Sequence, residues 1–188
     1  MDRDPSGESI PAFNFLDEDA FVTHEVDDEA KRHLPKVMEQ DIQTGRERYG
    51  VLTGFVKRRG LQRAHVVIKG VYQETDDDAI RSYTEGVAEV NFDLNLMKRK
   101  VRQIQKTQQA YKDFHFIGDV HTHPISGIAK PSPGDLTAGI EAYESGDMRP
   151  DEPYIFAIGQ KEPDGMLYRF YRMVRTDSSS GYGFAELD

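Results

Sequence analysis

The chain has 188 residues, of which 37% are hydrophobic and 30% charged, and its formal net charge is −9. That length fits one domain with a sizeable core, and the acidic balance argues against sequence-independent nucleic-acid binding while favouring solubility or a basic partner. Cysteine is absent, which excludes disulfides, thiol catalysis and cysteine-ligated zinc, and with no apolar run near the roughly 20 residues of a membrane span and no signal-peptide pattern, the chain reads as cytoplasmic.

Residues 1–12 carry Asp, Pro, Ser, Gly and Glu without periodicity and read as a loose tail. Val22–Val26 alternates as a short first strand. Asp27 and Asp28 suit a helix start, followed by Ala30, Leu34, Val37, Met38 and Ile42 at helical spacing, with Pro35 in a first turn or at a kink. Residues 49–56 and 64–72 are apolar and β-branched and predict a hairpin closed by residues 57–63. The acidic stretch 73–82 reads as loop, and Gly86–Phe92 as another strand. Asp93 caps a predicted helix whose apolar stripe is Leu94, Met97, Val101, Ile104 and Tyr111. Its cations (Lys98, Arg99, Lys100, Arg102 and Lys106, with Lys112 beyond) form either a solvated face or a docking surface for an acidic partner.

Next comes a strand over residues 114–120, then a loop, then a helix from Pro133 to about Glu144. Residues 154–159 and 166–174 are strands joined around Pro163-Asp164-Gly165, a turn tripeptide. The final residues, 176–188, read as a second tail that frays, with Tyr182 and Phe184 the side chains able to dock. The sum is an α/β or α+β domain: a central mixed sheet of about six strands flanked by helices.

The chemistry concentrates in His121-Thr-His-Pro124 and Ser132-Pro-Gly-Asp135. Two histidines two residues apart on a strand face the same way, and an aspartate from the next element completes a three-ligand site with an open position, as catalytic zinc requires. Pro124 ends the strand and turns the chain back toward Asp135. Each half also has a purely structural reading: a satisfied histidine pair, and a helix start with Ser132 as N-cap, Pro133 at the first position and an acidic third residue. The second is compatible with ligation, because a capped helix end holds the aspartate rigidly. Ser132 can instead direct its hydroxyl at a developing oxyanion. His24, His33, His65 and His115 lack partners at ligand spacing. Glu47, taken alone, reads as a solvated charge at a helix-to-strand junction.

Glu47-Arg-Tyr-Gly-Val-Leu-Thr-Gly54, then Asp119-Val-His-Thr-His-Pro124, then Pro131-Ser-Pro-Gly-Asp135 together resemble the JAMM (MPN+, JAB domain) zinc metalloproteases, most of all their prokaryotic, deubiquitinase-like isopeptidase branch. The resemblance spans residues 20–175, with three short motifs specific, and implies a cytidine-deaminase-like JAB/MPN fold. It implies one Zn²⁺ per chain on His121, His123 and Asp135, Glu47 as the catalytic acid–base, and Ser132 stabilising the tetrahedral intermediate. The implied activity is hydrolysis of amide or isopeptide bonds at the C-terminus of a ubiquitin-like protein, in the company of ubiquitin-activating and ubiquitin-conjugating relatives that include those of anti-phage operons. Such a substrate would lie in a groove walled by residues 73–92 and 142–153, with Tyr143 and Met148 as contact candidates; nucleic acid and membrane are not expected partners. The alternatives are a zinc hydrolase of small peptides or amides, and a metal-free MPN scaffold. Eight residues separate His123 from Ser132, one more than in the family pattern, and the extra residue falls in the glycine-containing loop 125–130.

Overall fold

The computed structural model describes residues 13–34, 49–58, 63–73, 83–84, 87–88, 94–107, 109, 112–123 and 129–187. The predicted hairpin forms from Tyr49–Arg58 (β2) and Arg63–Gln73 (β3), and Phe21–Val26 (β1) adds to β3 in parallel. His115–Thr122 (β6), Ile155–Glu162 (β7), Gly165–Arg175 (β8) and Tyr182–Glu186 (β9) complete a seven-stranded sheet in the order β1-β3-β2-β6-β7-β8-β9. Its β6–β7 pair is parallel and its β2–β6, β7–β8 and β8–β9 pairs are antiparallel. Tyr83–Thr84 (β4) and Val87–Ala88 (β5) form a separate two-stranded ribbon. Of the strand expected over 86–92, Val87 and Ala88 are described and form β5, and residues 86 and 89–92 lie outside the described residues. Residues 28–34 are helical (α1), and Leu94–Thr107 (α2) and Pro133–Glu144 (α3) are helices. Pro35, Val37, Met38, Ile42 and Tyr111 lie outside the described residues, as does the tail 1–12. Among the described residues no helix is long and apolar enough to cross a membrane.

The seventh strand corrects the expectation that 176–188 frays. A turn at Gly181 (φ +70°) sends the chain back along β8, and alternation aims Tyr182 and Phe184 at the core. The Phe184 ring lies 5.0 Å from Phe156 and 6.5 Å from Tyr171, both edge-on, so aromatic burial anchors the strand.

Each face of the sheet buries its own core. On one, Ala30 and Leu34 of α1 meet Leu52, Val66, Ile68, Val120, Ile155 and Phe170. On the other, Ala142 of α3 meets Phe156, Ile158, Tyr171 and Met173. The segment before β1 is stitched to β8 by Arg172, a buried cation whose Nη1 donates to Phe15 O (2.6 Å) and Asp17 O (2.9 Å) and whose Nη2 donates to Glu18 O (3.2 Å) and Ala20 O (2.8 Å).

One irregularity sets up the site. Opposite β2, Leu52 pairs with Gly118 but Thr53 with Phe116, so Ile117 is the extra residue of a bulge. Side-chain parity flips there: Phe116 packs on the α3 face, yet Ile117 and Val120 both face the α1 core. An unbulged strand with Phe116 on the α3 face would turn Asp119 and His121 away from α3. Gly118 (φ +149°) makes the bulge possible, since a Cβ there would lie 1.9 Å from Ile155 O.

Candidate metal centre

β6 runs into α3, and α3 returns to β7, which is parallel to β6. In such a unit the strand's C-terminal end and the helix N-terminus open on the same edge, where α/β sheets place ligands. His121 is the last but one residue of β6, on the α3 face, and His123 follows just beyond the strand. Ser132 and Asp135 stand at the start of α3.

The α3 start is a reciprocal capping box: Asp135 N donates to Ser132 Oγ (3.2 Å) while Ser132 N donates to Asp135 Oδ2 (2.6 Å), with Pro133 in the first helical position. The loop before it is pinned at Ala129, whose N donates to Gln160 Oε1 (2.9 Å) and whose O accepts from Tyr171 Oη (2.6 Å). The helix end is therefore fixed from both sides, and Asp135 with it.

The ligand atoms of His121, His123 and Asp135 all lie within 4.8 Å of one another, so the three residues can hold a metal ion. His121 Nε2 is 3.1 Å from His123 Nε2 and 3.1 Å from Asp135 Oδ1, and His123 Nε2 is 3.3 Å from Asp135 Oδ2. His121 Nδ1 is 3.0 Å from Asp119 Oδ1, a carboxylate with no solvent exposure that lies near the Tyr154 side chain. Donation from Nδ1 to Asp119 leaves Nε2 as the ligand nitrogen, the carboxylate–histidine arrangement that orients metal-binding imidazoles. Two imidazole nitrogens and one carboxylate oxygen suit a borderline divalent ion such as zinc and leave coordination positions open.

The electrostatics are tightly coupled. Burial raises the Asp119 pKa above the ordinary carboxylate range, against the hydrogen bond from His121. Burial opposes charge on His121 as well, but the hydrogen bonds to Asp119 and Asp135 outweigh it and raise this imidazole to about 10. Burial also pushes Asp135 upward, yet bonds to His121 and His123 prevail and hold it well below the usual range.

Of the residues expected at the site, His121, His123, Ser132 and Asp135 are brought together. Glu47 and loop residues 124–128 lie outside the described residues. Met148 is not a surface contact: it is 2% exposed, within the core beneath α3, and Tyr143 is partly buried with its hydroxyl directed at Glu152 O. Sequence reasoning missed Asp119 and Tyr154. Asp119 carried a usable signal, two residues before His121 and so on its face of the strand; Tyr154 arrives from next to β7 and carried none. No protein-family model matches this chain, and no curated protein sequence matches it.

Proposed function

We propose that the protein is a zinc-dependent hydrolase of the JAMM type that cleaves amide or isopeptide bonds at the C-terminus of a ubiquitin-like protein. One observation carries the reading: His121, His123 and Asp135 converge with Asp119 behind His121, an open N/O ligand set with its tautomer fixed. A bound zinc ion supplies an acidified water and a polarised scissile carbonyl. Glu47 accepts the proton of the attacking water and passes it to the leaving amine. Tyr49, two residues after Glu47 in the sequence, stands opposite His121 in the β2–β6 register, which supports that role. Ser132 Oγ accepts the Asp135 amide, which leaves its own proton for the oxyanion.

The test is cleavage of a ubiquitin-like protein fused through its C-terminus to a reporter, alongside metal analysis of the purified chain. The wild type carries one zinc and cleaves; Glu47→Gln keeps the zinc and loses cleavage by about 10²-fold or more. Full activity in Glu47→Gln, or in a chain stripped of metal, overturns the reading.

A further inference from the structure

About 16 Å along β6 from His121, at ~3.3 Å per residue, the opposite end of the strand runs beneath α2. Phe55, Val101 and Phe116 floor a cleft of about 710 Å³ there, with Lys98, Arg102 and Arg149 on its rim. Two of these rim cations are already balanced. Lys98 pairs with Glu152 (3.6 Å) and donates to Asp147 O, and Arg149 pairs with Asp151 (3.2 Å) and Glu152 (3.3 Å). Arg102 is not: its Nε donates to Lys98 O (3.2 Å), and it has no ion pair with any described carboxylate. The same holds for Arg99 and Lys106. With Asn95 and Gln103 these three exposed cations line a second concavity of about 440 Å³ that shares Arg102 with the cleft.

The spacing makes this a continuous stripe. Positions 95, 99, 102 and 106 recur on one helical face, so Arg99 and Arg102 (i, i+3) and Arg102 and Lys106 (i, i+4) repel each other at short range. A chain with 33 acidic residues against 24 basic ones has carboxylates in excess, yet among the described residues none pairs with Arg99, Arg102 or Lys106. The helix is nonetheless held in place at both ends. Asn95 Nδ2 donates to Asp147 Oδ1 (3.0 Å), and Gln105 donates to Phe114 O. A fixed helix thus presents positive charge that no described carboxylate meets, beside an apolar-floored cleft.

We propose that α2 and this cleft form an exosite for a short acidic segment of a partner protein that carries one bulky apolar side chain. The apolar residue enters the cleft over Phe55 and Phe116, and the neighbouring carboxylates run along Arg99, Arg102 and Lys106. From Arg99 to Lys106 the stripe spans about 10 Å, the reach of three or four residues of extended chain. A long polyanion fits less well, because beyond the stripe it meets the field of a molecule with net charge −9. The exosite is independent of the hydrolytic reading, being built from different residues at the other end of β6.

The probe is a fluorescein-labelled dodecapeptide of Glu and Asp with one central Leu, titrated with the full chain and followed by anisotropy. Saturable binding is expected at low salt, weakened about tenfold or more at several-fold higher ionic strength. Changing the peptide's Leu to Ser weakens it by a similar factor. Arg99→Glu/Arg102→Glu/Lys106→Glu removes binding, and Arg102→Ala alone reduces it; thermal melts confirm that both variants remain folded. The proposal is overturned by an absence of saturation with the wild type, by equal binding of the charge-reversed variant, by indifference to the Leu→Ser change, or by a short DNA duplex binding more tightly than the peptide through the same residues.

Discussion

β6 balances charge differently at its two ends. At the C-terminal end, Asp119, His121, His123 and Asp135 are buried or half-buried and contact one another, Asp119 Oδ1 aiming His121 and Asp135 reaching both histidines. At the N-terminal end, α2 turns Arg99, Arg102 and Lys106 outward with no described carboxylate to meet them. Mutual contact in a buried place preorganises ligands, so little rearrangement is needed when a cation arrives. Charges left exposed and uncompensated hold no geometry of their own and are available to whatever brings the opposite sign. The bulge at Ile117 and Gly118 divides the two regimes.

The division rests on one extra residue. Deleting Gly118 removes it, and simple alternation from Phe116 then still aims Asp119 and His121 at α3, so a folded variant should keep its metal; a folded variant without bound metal in elemental analysis would refute the parity argument. Gly118→Ala keeps the residue count but drives a Cβ to 1.9 Å from Ile155 O at a positive φ, and should cost about 3–5 kcal/mol in denaturant unfolding. Asp119→Ala sharpens the contrast by removing only the group behind His121. Metal affinity should fall about 10- to 100-fold in a competitive chelator titration, and an unchanged affinity would make Asp119 a packing residue.

Ser132→Ala tests the fixed helix end. Loss of the cap should cost about 1 kcal/mol, a drop of about 2–4 °C in Tm for a chain of this size, with metal still bound. The smallest effect belongs to the pair of Asp27 and Lys69, 2.5 Å apart at the edge of the sheet. The hydrogen bond from Lys69 lowers the Asp27 pKa from 3.8. Its contribution is therefore present above that pH and disappears as pH falls through the depressed value. The stability gap between wild type and Asp27→Asn should be small at neutral pH, shrink further in salt and close in acid; a gap that widens in acid would contradict the assignment.

The candidate site was legible where chemistry and local structure use the same residues. Ser132-Pro-Gly-Asp135 signals a helix start by capping rules alone, and α3 begins there. The His121/His123 spacing signals a shared direction whatever the tertiary fold. Asp119 was legible by the same parity but was read only as part of a motif. The bulge that makes parity useful was not, because Gly118 signals permissiveness and the register shift depends on pairing with β2. β9 was obscured by the Ser- and Gly-rich residues before it, although Tyr182 and Phe184 carried the alternation that docks them. Met148 misled because a methionine after a helix reads equally as surface or core, and only the packing against Tyr154 and Phe156 beneath α3 decides.

Arg172 has a consequence for how the chain reaches this state. Its bond to Phe15 O joins positions 157 residues apart, the kind of long-range closure whose entropy must be met before any contact rewards it. Until residues 15–20 arrive, the guanidinium has lost water on the face of β8 without receiving the four carbonyl oxygens that replace it. The segment before β1 and strand β8 therefore complete one another's buried polar groups. A lysine could not substitute: three protons on a single nitrogen cannot reach four oxygens spread along six residues.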